Sequence, residues 1–486
     1  MRSVSRLAIV LALLPLSGCM VGPKYNTPAA IVAPSFKEAP PASFAEQDGW
    51  KPGQPGDTRL KGDWWTIFGD PQLNTLEAEV DGANQSLKAA EANFRAARGQ
   101  IGYERSNEAP TIGAAPSINS VRESANQPYF SPTLVNNGSG NFTLPVDLNY
   151  EIDLWGRIRR SVTSAREQAQ ASDADLENAR LSLHAELAMD YFGLRSADAQ
   201  EKLLDDTVTA YESALQLTQD RFEGGAAPQS DVSQAQTQLN QARVQRTDLE
   251  VQRAQYEHAI AVLIGKPPAE LTLPPLPLNL QAPVIPRIPG TVPATLLERR
   301  PDIAADERRM ASANEQIGIA QAAYYPTLSL SAVMGLQGSS ALNWFNWPSR
   351  FWAVGPTFSE TLFDAGRRRS AKNITVAQYD ANVANYRQTV LTAFQQVEDN
   401  LAAIRVLTNE AQQQHEATAS AEQSLVLFET RYEGGVDTYL QVVTWQTAAL
   451  INQRNDLDIL QRRLDASVLL VKALGGGWDT TQLPRL

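Results

Sequence analysis

Between Gly366 and Leu474 the apolar residues recur every seven positions. Val376, Val383, Val390, Val397, Ile404, Leu425 and Tyr432 share one lattice, and Tyr379, Tyr386, Ala393, Leu407, Ala421 and Phe428 hold its three-residue offset. This is the a/d spacing of helices packed along a common seam. The lattice breaks at Gly434-Gly435 and resumes through Leu450, Leu457, Leu464 and Val471, with Leu460 and Leu474 at the second seam position. Glycine ends helices because it enters the left-handed backbone region without a Cβ clash. The stretch therefore predicts two long helices folded back on each other as an antiparallel hairpin. At about 1.5 Å per residue, a helix from Gly366 to Tyr432 is roughly 100 Å long, several times an ordinary globular helix. A chain with such an element is committed to a rod or a tube.

The first residues do not belong to that body. Arg2 and Arg6 flank the start of a short apolar run, Leu7 to Leu16, which closes on Leu16-Ser17-Gly18-Cys19. The run is too short to span a bilayer and has the layout of a secretory signal. Leu-Ser-Gly-Cys resembles the bacterial lipobox, which implies removal of residues 1–18 and a covalent lipid on Cys19. The plainer alternative is an ordinary signal peptide that happens to end near a cysteine. Cys19 is the only cysteine in 486 residues and stands where the motif needs it. Met20 follows it in place of the Asp of an inner-membrane retention signal, so the outer membrane is the expected destination.

Composition removes several functions. Lys and Arg number 42 against 54 Asp and Glu, and loss of Arg2 and Arg6 with the leader takes the net charge from −12 to −14. That sign disfavours nucleic acid as a partner. One cysteine leaves no disulfide framework and no thiolate metal site. His184, His258 and His415 are widely separated on helical stretches and read as helix-surface or seam residues. No Ser/His/Asp spacing, phosphate loop or paired-carboxylate motif accompanies them, so no enzymatic site, metal or cofactor is expected beyond the lipid.

Residues 19–69 are rich in Pro, Gly and Ala and read as a lipid-anchored extended segment, interrupted by Asp63-Trp64-Trp65 and Phe68, which are expected to dock on the body. A helix is predicted from Asp70-Pro71 to about Glu108, with Leu73, Leu76, Val80, Leu87, Ala90 and Phe94 on its buried side. The period then changes. Phe142, Leu144, Val146, Leu148 and Tyr150 alternate with polar neighbours, as do Leu328, Leu330, Ala332, Met334 and Leu336, and weaker copies occupy 111–121 and 352–362. These are strands of about ten residues with one apolar face. A soluble half-buried sheet is the usual source of such a pattern. An outer-membrane protein without a long apolar helix must instead cross as a closed barrel. The aromatic clusters Tyr129-Phe130, Trp344-Phe345, Trp347 and Phe351-Trp352 suit interfacial girdles. Four strands cannot close such a barrel, so several chains are expected to share one.

The chain is also duplicated. Gln100-Ile101-Gly102 with Pro110-Thr111 matches Gln316-Ile317-Gly318 with Pro326-Thr327 at an offset of 216. Gly156-Arg157 matches Gly366-Arg367, and Arg221-Phe222-Glu223-Gly224-Gly225 matches Arg431-Tyr432-Glu433-Gly434-Gly435, both at 210. Ala235, Ala242, Leu249, Tyr256 and Leu263 keep the seven-residue seam on the first half's return helix. Two repeats are expected, 70–266 and 294–475, joined by a Pro-rich linker at 267–293 and followed by a tail at 476–486.

Over essentially the whole mature chain these residues resemble the TolC-like family of outer-membrane efflux proteins, in its OprM/NodT-type lipoprotein branch. The likeness rests on Val21-Gly22-Pro23-Lys24-Tyr25, Asp63-Trp64-Trp65, Asp153-Leu154-Trp155-Gly156-Arg157, Arg299-Arg300-Pro301-Asp302-Ile303, Phe363-Asp364-Ala365-Gly366-Arg367, Gly434-Gly435-Val436-Asp437 and Lys472-Ala473-Leu474-Gly475-Gly476-Gly477-Trp478, in this order. It implies a mainly α fold with a small β part. Three chains would form a twelve-stranded membrane barrel continuing into a periplasmic tunnel of coiled helices. The implied function is a passive exit duct for small amphiphilic compounds, fed by an inner-membrane RND-type pump through a periplasmic adaptor. The duct of a type I protein secretion system and a structural coiled-coil envelope lipoprotein are the alternatives. The resemblance assigns adaptor docking to the tips at Gly224, Gly225, Gly434 and Gly435, and a periplasmic gate to Leu440, Asp231, Glu433 and Asp437. As plain helix residues, the glycines are caps and Leu440 is one more seam leucine. Thr444 and Thr447 stand where relatives carry charged residues, so a salt-bridged gate is not expected. Arg300-Pro301-Asp302 reads as a helix start.

Overall fold

The computed structural model describes residues 20–29, 36–38, 62–122, 124, 126, 138–279, 299–477 and 484. The leader with Cys19, the pair Tyr129-Phe130, the linker beyond Asn279 and Trp478 lie outside the described residues. The elements run α1 (Pro71–Ala83), α2 (Gln85–Ser106), β1 (Thr111–Ala114), β2 (Ser117–Val121), β3 (Ser139–Ile152), α3 (Arg157–Glu223) and α4 (Gln229–Leu263). After the linker come α5 (Pro301–Ala322), β4 (Thr327–Gly338), β5 (Arg350–Ser359), α6 (Arg367–Glu433) and α7 (Tyr439–Ala473).

The duplication is metric. Helices α3 and α6 both have 67 residues, α4 and α7 both have 35, and α2 and α5 both have 22. The long helices outreach their return partners, so the seam changes occupant along its length. Near the tip α7 fills it with Val442, Ala449, Leu450, Leu457 and Leu464, all buried. Further up, α5 does so, where Ile303 and Met310 pack on Tyr386, Val390 and Ala393 of α6.

One expected helix is two. Asn84 leaves the helical region at φ −61°, ψ 124°, accepts from Leu87 N at 3.0 Å and donates from Nδ2 to Leu263 O at 2.8 Å. It thereby caps α2 and ties the break to the end of α4. At the other start Asp70 accepts from Gln72 N and Leu73 N, with Pro71 as first helical residue. Arg300-Pro301-Asp302 opens α5 as expected, and Arg300 clasps Asp302 at 2.6 Å.

The sheet is antiparallel, in the order β1/β2, β3, β4, β5. β1 and β2 are one strand interrupted at Ala115-Pro116, since Thr111↔Asn149 and Ser117↔Thr143 lie on the same register against β3. Proline supplies no ladder N–H, which accounts for the gap. β5 spans 350–359 and stops short of the expected Leu362. The registers Ile112↔Leu148, Leu148↔Ala332 and Ala332↔Val354 set even-numbered residues of every strand on one face. That face carries Ile112, Ile118, Phe142, Leu144, Val146, Leu148, Leu330, Met334, Trp352, Val354 and Phe358. The other carries Asn119, Thr143, Asp147, Asn149, Ser329, Ser331, Gln337 and Thr357. Among the described residues no side chain of the sheet is buried, on either face.

The main core lies midway along the helices. Trp64, Trp65 and Phe68 dock there as expected, with Leu73, Leu76, Val80, Tyr191, Leu194 and Val468. Here His184 corrects its expected place on a surface or seam. It is buried against α1, with Nδ1 2.6 Å from Glu77 Oε2 and Trp65 stacked on its ring at 4.4 Å. The described part of the linker is docked too, as Arg253 donates to Leu273 O at 2.7 Å and Leu276 N donates to Asp198 at 2.8 Å.

Candidate functional site at the hairpin tips

Both long helices end in the same way. Ala226 N donates to Arg221 O at 2.7 Å and Gly225 N to Phe222 O at 3.0 Å, while Val436 N donates to Arg431 O at 2.9 Å and Gly435 N to Tyr432 O at 2.9 Å. These are the paired bonds of a Schellman cap. Only the second glycine of each pair needs to be one. Gly225 and Gly435 sit at φ +71° and +73°, whereas Gly224 and Gly434 remain in the right-handed helical region.

The tips pack on each other through Ala235, Tyr432, Tyr439 and Val442, with the rings of Tyr432 and Tyr439 5.2 Å apart. Arg221 reaches from the first hairpin to the second. Its guanidinium lies 4.5 Å over the Tyr432 ring and donates to Tyr432 O at 2.7 Å and Glu433 O at 2.5 Å. The last four carbonyls of a helix lack intrahelical partners of the regular kind, and this arginine donates to two of them from another helix. Its counterpart Arg431 stays at home, paired with Asp437 in the loop that follows its own helix.

Burial separates the gate candidates. Tyr439 takes the seam at 2% exposure, so the neighbouring Leu440 is turned out and is 55% exposed. The reading of Leu440 as a seam leucine is therefore incorrect: successive helix residues are about 100° apart, and only one of the two can face the partner helix. Asp231 lies in the first turn of α4, where its charge suits the helix dipole, and accepts from Ser230 Oγ at 3.3 Å. Glu433 is exposed beside Gly434. Thr444 bonds its own helix at Leu440 O, and Thr447 accepts from Gln238 Nε2 of the other hairpin at 2.7 Å. The tie across the tips at that level is thus uncharged. Burial raises the Glu429 carboxyl above its usual range, with Gln446 opposing, and pushes the Tyr439 hydroxyl up as well. Among the described residues no group of His, Cys, Asp and Glu could hold a metal, and no helix is long and apolar enough to cross a membrane.

Residues 79–266 and 292–476 match the model of the outer membrane efflux protein family. The chain belongs to that family. The outer membrane protein OprJ of Pseudomonas aeruginosa is 32% identical over 471 residues, covering 97% of this chain and 95% of OprJ. The probable efflux pump outer membrane protein TtgC of Pseudomonas putida is 31% identical over 476 residues, covering 98% of this chain and 96% of TtgC. The solved structure of the outer-membrane channel OprN superposes with a TM-score of 0.85 at 28% identity, covering 95% of this chain and all of OprN. An outer membrane efflux protein with this fold is a channel component located in the outer membrane, and the family is one of ducts rather than enzymes. Sequence reasoning placed the tips correctly but missed Arg221. Its signal was present, an arginine at the last turn of both long helices, but nothing local distinguished the one that crosses from the one that does not.

Proposed function

We propose that three copies of this chain close a twelve-stranded barrel in the outer membrane and a helical tunnel below it, forming a passive exit duct for small amphiphilic compounds. The duct receives its cargo from an inner-membrane RND-type pump through a periplasmic adaptor that docks on the tips around Gly224-Gly225 and Gly434-Gly435. The observation that carries this reading is the sheet. One face is continuously apolar, neither face is covered by the chain itself, and β1/β2 and β5 are left as open edges. Open edges are not tolerated in lipid, so further copies must satisfy them. A static coiled-coil lipoprotein would have no use for such a sheet.

Lipid on Cys19 fits the place of its neighbour. Met20 packs beside Gly156, where β3 passes into α3, and Val21 N donates to Trp155 O at 3.1 Å. An acyl chain entering there meets the edge of the membrane-facing sheet.

At the periplasmic end Leu440 narrows the closed mouth, with Asp231, Glu433 and Asp437 as the acids around it. Single-channel recording tests this. Leu440→Ala should raise conductance and Asp231→Asn should weaken cation preference. Unchanged conductance in the first and unchanged selectivity in the second would return both residues to ordinary helix packing.

A further inference from the structure

The two repeats match pair for pair in the sheet as well as in the helices. Thr111↔Asn149 and Ser117↔Thr143 of the first hairpin become Thr327↔Ser359 and Val333↔Ala353 of the second when its strands are advanced by 216 and 210 residues. The same offsets carry α2 onto α5 and α3 onto α6, end for end. Inside the chain the repeats meet along one seam, where β3 pairs with β4 and α3 packs on α5. The row of elements ends in β5 and α6 on one side and in β1/β2 and α2 on the other.

Units that close a ring repeat one contact, so the seam between the repeats is a template for the seam between copies. We infer that β5 and α6 of one copy join β1/β2 and α2 of the next in the register of β3 on β4 and of α3 on α5. This rests on the reading that three copies share one barrel. Copying Phe142↔Gly338 and Ile152↔Leu328 sets Trp352 opposite the next copy's Arg122, and Leu362 opposite its Ile112. The match keeps even-numbered residues together, so the apolar face runs on unbroken from copy to copy.

The strand ends support this register. β3 continues past its hairpin partner to Ile152 because β4 of the other repeat pairs Tyr150, Glu151 and Ile152, whereas β5 stops at Ser359, where its hairpin partner stops. Glu360, Thr361 and Leu362 occupy the matching positions and are left for Ala114, Gly113 and Ile112 of the next copy. The helices support it independently. Arg160–Glu315 at 2.6 Å, Glu167–Arg308 at 2.7 Å and Asp175–Arg309 at 2.5 Å tie α3 to α5. The matching positions of α6 and α2 hold Ser370 and Gly99, Ala377 and Ala92, and Asn385 and Asn93, all exposed in the single chain. Both members of each ion pair have been replaced together by uncharged residues. Surfaces that never met would have no reason to lose their charges in pairs.

Paired cysteines test the register in the full-length protein, oxidised in mild detergent and run on a denaturing gel. Ser164 and Ser312, whose hydroxyl oxygens lie 2.8 Å apart in the buried seam, have Ile374 and Ala96 as counterparts. Ala96→Cys/Ile374→Cys should therefore link into covalent dimers and trimers, and Ser117→Cys/Thr357→Cys should do so through the strands. Neither pair can close within one chain: β2 and β5 lie three strand spacings apart, roughly 14 Å, and α3 and α5 stand between α2 and α6. Asn119→Cys/Thr357→Cys keeps both thiols on the polar face but slips them by about 7 Å, and should link roughly tenfold less. The wild type, whose only cysteine is Cys19, is the blank. Linking of the slipped pair as strong as that of the matched strand pair overturns the register, although the covalent oligomers would still uphold the shared barrel. Failure of both matched pairs, with native mass spectrometry still showing three chains, overturns the inference alone. Single chains without any linking overturn the reading of a shared barrel as well.

Discussion

The two hairpins have helices of the same lengths and the same glycine caps, yet the equivalent arginines at their ends act differently. Arg221 crosses to the carbonyls of Tyr432 and Glu433, and Arg431 closes its own loop on Asp437. The reason lies in one position. Asp437 offers Arg431 a local acid, while the first repeat has Ala227 there and leaves Arg221 free to reach across. Duplication set the frame of the tips, and a single lost carboxylate decided which hairpin holds the other. The same lesson recurs in the main core, where position 184 is a paired histidine and its counterpart 394 is a phenylalanine packed on Phe36.

The comparison is sharpest at the arginines. Arg221→Ala removes two charge-assisted bonds, a partly buried one to Tyr432 O and an exposed one to Glu433 O, and should lower the opening free energy of the tip by about 2 kcal/mol in hydrogen exchange. Arg431→Ala removes a half-exposed ion pair and should cost about 0.5 kcal/mol. Equal losses in the two variants would mean that the crossing contact does not hold the tips together.

A smaller difference is expected within one glycine pair. Gly435→Ala places a Cβ in the left-handed region and should destabilise the tip by about 1 kcal/mol, whereas Gly434→Ala, at φ −75°, should be close to neutral. Thermal unfolding of the two variants distinguishes them, and the reverse order would refute the Schellman assignment.

The smallest effect concerns pH and belongs to the first repeat alone. Burial opposes the charge on His184, but the carboxylates of Asp81, 3.4 Å from Nε2, and Glu77, 2.6 Å from Nδ1, prevail and raise it to about 9. Burial pushes Glu77 up to about 7, with His184 resisting. A histidine bound more tightly to its proton in the fold than its usual 6.5 contributes stability below that pH and loses it as pH rises toward 9. Glu77 acts in the same direction between 4.5 and 7. The melting temperature should fall from pH 6.5 to 9, and His184→Phe/Glu77→Leu, which copies the apolar second repeat, should flatten the slope. A wild-type curve already flat over that range would contradict the pairing.

The heptad seams, the strands, the docked tryptophans and the duplication were legible because each is written as local periodicity or as a repeated motif. What the sequence did not reveal depended on partners far away in the chain. His184 finds Glu77 across 107 residues, Asn84 bonds Leu263 across 179, and Arg221 meets Tyr432 across 211. A lone side chain carries no sign of such a partner. At the candidate gate the family resemblance named Leu440, but only the packing of Tyr439 showed which way Leu440 turns.

The central claim is that this chain makes a channel only in company, because its sheet has open edges and an uncovered apolar face. Native mass spectrometry of the protein extracted in mild detergent measures this directly. An assembly of three chains is the predicted species, and a single chain as the only species would contradict the account.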